Sequence, residues 1–326
     1  MGATMSITAV LAVGFAFVLA LPLGARAEIA PFPAGVLASV VTVLPVRPRG
    51  APAVRPEAAL RGEERSGSGV VLRQGGYIAT AAHVLDGAQS VSVRLHDGRE
   101  MPATIKARDT ATDLALLQVD EDLPPLALGP APALGAPVCG IGNPFGVGLS
   151  VSCGVVSALR RSGMGFNSIE DFVQTDAVLN PGTSGGALVD RAGRLVGLVS
   201  AIFTRRSDAN IGVNFAVSTD LLVRVVDDLL KFGRVVTGRA EFRLSLLPAA
   251  ERRRHAGLRI TGLTAGGAAE RSGLRSGDLV TAIAGRKLRK RSDVRTAIFL
   301  HRPGDKVRVA AVRQGRSRVF TLTLRR

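Results

Sequence analysis

Asn180-Pro181-Gly182-Thr183-Ser184-Gly185-Gly186 places a serine in a tight, glycine-rich turn. The run Phe172-Val173-Gln174-Thr175 before it has the composition of a short strand. A turn of this kind can expose a hydroxyl and aim successive backbone N–H groups at one point. Acyl transfer needs that pairing of a nucleophile with donors for an oxyanion. Taken alone, the stretch reads sooner as a plain turn than as a nucleophile site, so residues elsewhere must decide.

A serine hydroxyl is a weak nucleophile until a base takes its proton. The chain has four histidines. His83 ends the small-residue apolar run Tyr77-Ile78-Ala79-Thr80-Ala81-Ala82. His96 adjoins the turn pair Asp97-Gly98, His255 follows three arginines, and His301 precedes Arg302-Pro303-Gly304; these three read as surface or loop. Asp113 opens the apolar run Leu114-Ala115-Leu116-Leu117 and is the carboxylate suited to orient His83. The chain order His83, Asp113, Ser184 is that of one known arrangement of the Ser-His-Asp triad.

The sequence resembles the HtrA/Deg family of serine proteases. The resemblance rests on Ser66-Gly67-Ser68-Gly69-Val70-Val71, on Gly76-Tyr77-Ile78-Ala79-Thr80-Ala81-Ala82-His83-Val84 and on Asp113-Leu114-Ala115-Leu116-Leu117. It continues through Ile141-Gly142-Asn143-Pro144-Phe145-Gly146, Gly154-Val155-Val156-Ser157-Ala158-Leu159, Gln174-Thr175-Asp176-Ala177, the serine turn, and Gly193-Arg194-Leu195-Val196-Gly197-Leu198. It runs from about residue 36 to the C-terminus. It implies a mostly β chain: a chymotrypsin-like double β-barrel followed by a PDZ domain.

The resemblance also implies roles. His83, Asp113 and Ser184 are the catalytic residues, and Gly182, Thr183 and Ser184 form the oxyanion hole. Thr183 stands where the family usually has asparagine. Leu179 and Ile202 match positions that line the specificity pocket; both are apolar, which implies cleavage after small or medium aliphatic residues. Asn143 to Leu149 matches an activation loop, and Arg160 to Asp171, with Arg161, matches a sensor loop. In the PDZ domain, Phe242, Arg243 and Leu244 match the segment that takes a peptide C-terminus by strand addition. An arginine at 243 stands where a small residue is expected: either the carboxylate loop is altered or the arginine adds a charge contact. The family forms trimers, with the contact placed around Ile29 to Val36.

The length of 326 residues suits two domains after a leader. Residues 5–23 are apolar and uncharged and are followed by Ala25-Arg26-Ala27, a small-x-small pattern. The expected organisation is a signal peptide over 1–27, or an uncleaved anchor, then a protease domain over 28–237 and a PDZ domain over 238–326. Both N-terminal readings place the protein outside the cytosol. Val36 to Leu44 reads as the first protease strand, and the Pro- and Arg-rich stretch 45–67 as a mobile loop. Thr219 to Phe232 has helical periodicity, a Ser218 or Thr219 start and a Gly233 stop.

Cys139 and Cys153 flank the hairpin-like loop Asn143 to Leu149. They read either as a cross-strand disulfide or as two buried thiols. Histidines and cysteines do not cluster at metal-ligand spacing and no nucleotide loop is present, so no cofactor is expected.

Charge is unevenly placed. Residues 238–326 hold 22 Lys+Arg against 6 Asp+Glu, and the rest of the chain is balanced. The exported reading and the lack of nucleic-acid signatures set nucleic acid aside. An anionic membrane or polymer is the alternative to a merely solvated arginine-rich face. The expected partners are unfolded protein substrates, peptide C-termini at the PDZ domain and two further copies of the chain. The competing readings are a chaperone-like or scaffold protein with weak or latent protease activity, and a protein that tethers to a surface through the basic domain.

Overall fold

The computed structural model describes residues 33–48, 66–204 and 210–326, the side chains of residues 34, 201–204 and 210 excepted. Residues 1–27, read as a leader, lie outside this set. So do 49–65 of the expected loop and residues 29–32 of the segment expected at the trimer contact.

Two closed six-stranded barrels come first. Strands β1 (Val40–Val46), β2 (Gly67–Arg73), β3 (Tyr77–Ala81), β4 (Ser90–Arg94), β5 (Glu100–Asp109) and β6 (Leu114–Gln118) close in the order β1-β2-β3-β6-β5-β4. Strands β7 (Pro137–Gly142), β8 (Ser150–Arg161), β9 (Phe172–Thr175), β10 (Ala187–Asp190), β11 (Leu195–Thr204) and β12 (Asn210–Ser218) close in the order β10-β11-β12-β9-β8-β7. Closure leaves no free sheet edge within either barrel. Val41, Val71, Ile78, Leu85, Val93 and Leu117 fill the first barrel; Val138, Val156, Val173, Leu188 and Val196 fill the second.

Sequence and structure part in two places at the N-terminal strand. Residues 34–39, which take in the first four residues of the expected strand, form a 3-10 turn after Pro33, and Ser39 Oγ donates to the Pro124 carbonyl at 2.7 Å. The strand then runs to Val46, two residues into the expected loop, because Pro45 and Val46 pair with Val91 and Ser90 of β4.

Helix α1 (Thr219–Phe232) follows β12. Ser218 Oγ caps it by accepting from Leu221 N–H at 3.3 Å, and Gly233 ends it at φ 67°, a conformation glycine adopts without a Cβ penalty. Beyond it lies a separate sheet: β13 (Phe242–Leu246), β14 (Leu258–Leu263), β15 (Leu279–Ile283), β17 (Lys306–Arg313) and β18 (Arg316–Thr323) in that order, with β16 (Arg286–Lys287) paired to β15. Short helices α2 (Ala249–Arg252) and α3 (Ala268–Arg271) and the longer α4 (Arg291–Phe299) complete this part. Its own core contains Leu258, Ile260, Leu274, Val280, Val309 and Leu322.

Charged contacts tie this sheet to the second barrel and α1. Arg286 donates to both carboxylate oxygens of Asp171 at 2.8 and 2.5 Å. Arg302 donates to Asp228 at 2.8 Å, and Asp228 also accepts from Val236 N–H at 2.8 Å beside Arg224. Burial alone would raise the Asp228 pKa, but these donors hold it below the usual carboxylate range.

Candidate active site

His83 and Asp113 of the first barrel are linked to Ser184 of the second through Ser200. Ala82–Leu85 form a 3-10 turn directly after β3, and His83 projects from it. Asp113 ends the connection into β6 at φ 58°, a left-handed conformation that aspartate tolerates better than most side chains. The backbone also joins the two sites, Ala82 N–H donating to the Asp113 carbonyl at 3.0 Å. The Asp113 carboxylate takes His83 N–H at 2.9 Å on Oδ1 and His83 Nδ1 at 2.7 Å on Oδ2. Two bonds from one carboxylate to backbone and ring fix the imidazole's rotation and leave Nε2 directed away from the pair.

The exposure of the two partners differs: the His83 side chain is 46% exposed and Asp113 14%. Burial alone would lower the His83 pKa; the hydrogen bond and charge of Asp113, with Asp86, outweigh it and raise it above the ordinary imidazole value.

Ser184 lies in the turn between β9 and β10. Successive peptides of this turn are tied down. The Pro181 carbonyl accepts from Phe145 N–H at 2.8 Å, Thr183 N–H donates to the Asn180 carbonyl at 3.0 Å, and the Thr183 carbonyl accepts from Gly186 N–H at 2.9 Å. Gly182 N–H and Ser184 N–H have no partner among the described residues. The turn therefore offers two free donors of the three residues expected. Thr183 instead serves the turn: its N–H closes it, and its buried Oγ1 accepts from Asn180 N–H at 3.3 Å.

The Ser184 hydroxyl donates to the Ser200 carbonyl at 3.4 Å, and His83 Nε2 has no hydrogen-bond partner among the described residues. Ser200 also links the two halves of the site, since its own hydroxyl donates to Asp113 Oδ2 at 3.3 Å. Sequence reading passed over Ser200. Its signal is a lone hydroxyl at the end of the apolar run Leu195-Val196-Gly197-Leu198-Val199.

Asn143 is 2% exposed. It donates from Nδ2 to Thr42 Oγ1 at 3.0 Å and accepts Gly148 N–H on Oδ1 at 2.7 Å, so it braces the loop between β7 and β8. Ser68, inside a motif the sequence singled out but with no role given to it, is fully buried between this loop and the serine turn. Its Oγ donates to the Gly182 carbonyl at 2.8 Å and accepts from Asn143 N–H at 2.9 Å.

Leu179 is 1% exposed and packs on Gly140, where a Cβ would fall 2.2 Å from Leu179 Cδ2. A cavity of about 150 Å³ opens beside it, lined among others by Val178, Asn180, Thr183 and Ser152 and by no acid. Ile202 lies in β11 opposite Asn214, and its side chain is outside the described residues. Cys139 and Cys153 face each other across β7 and β8 and are joined by a disulfide.

Arg161 stays within its barrel, with Nε donating to Gln174 at 3.1 Å. The neighbouring residues reach the third sheet and its helix. Ser162 Oγ bonds Ser292 and Asp293 at 2.9 and 2.7 Å, Lys290 donates to the Ser162 carbonyl, and Thr296 Oγ1 donates to the Glu170 carbonyl at 2.7 Å. The buried Glu170 carboxylate takes four backbone N–H groups, of Met164, Gly165, Phe166 and Asn167, which shapes the 162–170 loop around it. Phe242 and Leu244 pack against the third sheet's core from its edge strand β13. Arg243 is exposed, with its guanidinium over Gly262 of β14.

Residues 67–198 match the family model described as a trypsin-like peptidase domain, and residues 209–324 match that of a PDZ domain. A probable periplasmic serine endoprotease, DegP-like, of Halomonas elongata is 37% identical over 82% of this chain and 58% of its own length. The periplasmic pH-dependent serine endoprotease DegQ of Escherichia coli is 32% identical over 80% of this chain and 59% of its own. The chain thus spans little more than half the length of these curated relatives. Among solved structures, the HtrA-type protease AlgW with a tripeptide is 34% identical, with a TM-score of 0.68 over 89% of this chain and 94% of that one. With a double β-barrel, a PDZ domain and this match over nearly the whole of a solved relative, the chain belongs to the HtrA-type proteases.

Proposed function

We propose that this chain is an exported serine endopeptidase that hydrolyses unfolded or damaged polypeptides without a nucleotide or metal cofactor. One observation carries the reading: a His83–Asp113 pair at 2.7 Å meets a serine turn with two uncommitted N–H groups. Ser184 attacks the scissile carbonyl while His83 Nε2 takes its proton. The carbonyl oxygen, now an anion, is received by Gly182 N–H and Ser184 N–H, each worth about 3 kcal/mol of barrier. His83 returns the proton to the leaving amine, and water repeats the cycle on the acyl-enzyme. Asp113 holds the ring and stabilises its charged form.

The periplasmic names of relatives at 37% and 32% identity support export. The PDZ domain supports binding of peptide C-termini, with Phe242 and Leu244 as the apolar contacts. A domain division near residue 237, apolar P1 preference at Leu179 and Ile202, and assembly as a homotrimer belong to the same reading. So does contact of the basic C-terminal domain with an anionic membrane or polymer.

A second reading is a latent enzyme with a binding role. The Ser184 hydroxyl's bond to the Ser200 carbonyl, and not to His83, favours it as the resting state. In that state Ser184 must rotate before it can attack. A fluorophosphonate probe separates the readings. Stoichiometric labelling of Ser184, located by mass spectrometry and lost in Ser184→Ala, supports the peptidase. Labelling only after a C-terminal peptide is added supports latency.

A further inference from the structure

The oxyanion donors are aimed by peptide planes, and most of those planes are fixed from within the second barrel. The plane that carries Gly182 N–H is held through Pro181 by Phe145 N–H at 2.8 Å, and the one that carries Ser184 N–H is held through Thr183 by Gly186 N–H at 2.9 Å. The peptide between them has its carbonyl, that of Gly182, held at 2.8 Å by a hydroxyl from the other barrel, Ser68 Oγ. The same oxygen accepts Asn143 N–H at 2.9 Å, and Ser68 N–H donates to the Ser184 carbonyl at 2.8 Å. Ser68 is itself fixed, for its carbonyl takes Thr80 Oγ1 at 2.7 Å and it is fully buried. Gly182 leaves no slack: at φ 97° its Cβ position lies 2.3 Å from the Asn143 carbonyl.

From this geometry we infer that Ser68 is a positioning residue for the oxyanion hole. Among the described residues its hydroxyl is the one side-chain group that hydrogen-bonds both the serine turn and the Asn143 backbone, and it does so from the barrel that carries His83. It touches no reacting atom. Its removal leaves a part-buried carbonyl and a buried N–H without this partner. The turn then relaxes, and Gly182 N–H and Ser184 N–H no longer meet at one point. The loss falls on the transition state, where the oxyanion exists, and spares the substrate's ground-state contacts. The inference rests on the peptidase reading above and names what aims its donors.

The test compares the wild-type protein, Ser68→Ala and the nearly isosteric Ser68→Cys, whose thiol is a weak donor. Wild-type cleavage of an unfolded substrate is measured first, so failure of the peptidase reading shows before any variant is judged. The expected result for Ser68→Ala is a fall in kcat of roughly 10- to 100-fold with KM little changed, a fraction of the loss of a whole oxyanion donor. Ser68→Cys falls between it and the wild type. The affinity of a peptide boronate, whose tetrahedral oxygen mimics the oxyanion, weakens by the same factor as kcat/KM. The affinity of an uncleaved peptide for Ser184→Ala is unchanged when Ser68→Ala is added. Should Ser68→Ala fail to fold, the cysteine variant carries the same comparison. Activity of the folded variant within twofold of wild type overturns the inference. So does a loss that appears equally in uncleaved-peptide binding, since that would make Ser68 a general packing residue.

Discussion

Arg286 clasps both carboxylate oxygens of Asp171, at 2.8 and 2.5 Å, across the contact between the third sheet and the second barrel. Asp171 is 1% exposed and also takes the Ser218 hydroxyl at 2.7 Å. Burial is the largest influence on it and raises its pKa above the usual carboxylate value, against the lowering by Arg286. Removing the arginine strands a buried carboxyl, and losing one partner of a buried pair costs about 3–5 kcal/mol. Arg286→Ala should therefore lower the urea midpoint and speed proteolytic nicking between residues 160 and 171. A double-mutant cycle with Asp171→Asn should show strong coupling; independent effects would mean that the pair does not join the two parts.

The pH profile follows from His83. Only the neutral imidazole accepts the serine proton, and its pKa is raised by Asp113 and Asp86 against the lowering effect of burial. Activity should rise with pH through a midpoint above the ordinary imidazole value. Asp113→Asn should move that midpoint down and reduce kcat by about 10⁴-fold, the cost of a wrong imidazole tautomer. The stability linkage runs the other way. A raised folded pKa makes His83 stabilising below its ordinary value, and that contribution disappears as pH climbs through the raised one. Parallel melts and rate profiles between pH 5 and 9 check both signs.

Gly182 combines a positive φ with a backbone neighbour where a Cβ would stand. Gly182→Ala should displace the turn against Asn143 and cost about 10²–10³ in kcat, as the loss of an oxyanion donor does. Circular dichroism should show the barrels intact. A fully active, folded Gly182→Ala would show that this N–H is not a donor in catalysis.

The Cys139–Cys153 disulfide closes a 14-residue span around the loop that carries Asn143 and Phe145. A closure of that length is worth about 3 kcal/mol against the unfolded chain. Reductant, or Cys139→Ala with Cys153→Ala, should lower Tm by several degrees. It should also reduce kcat, because the loop supports the Pro181–Gly182 peptide through Phe145 N–H. The double-alanine variant should no longer respond to reductant.

The barrels were legible through the ordered motifs that carry the family resemblance and not through strand periodicity, since β2 and β6 are buried along almost their whole length. Helix α1 was legible because both its caps are local in the chain. Cys139 and Cys153 were legible as a facing pair through the symmetry of the hairpin, although the sequence left their oxidation open. The bonds that complete the site are different in kind. Ser68 and Gly182 are 114 residues apart, and Arg286 and Asp171 are 115 apart. A serine hydroxyl or a surface-type arginine has no periodicity or spacing that announces such a partner. Arg243 shows the opposite case: its residue type stood out, while the fold sets its guanidinium over Gly262 of the neighbouring strand. Residues 36–39 of the 3-10 turn were read as strand because they are apolar and small like the strand that follows.

The most direct test of the central claim is degradation of an unfolded, casein-like substrate near pH 8 by the wild-type protein beside Ser184→Ala. Cleavage by the first and none by the second is the predicted result, with fragment ends after small or medium aliphatic residues. Equal cleavage by both, or none by the folded wild type even with C-terminal peptides added, would contradict the account.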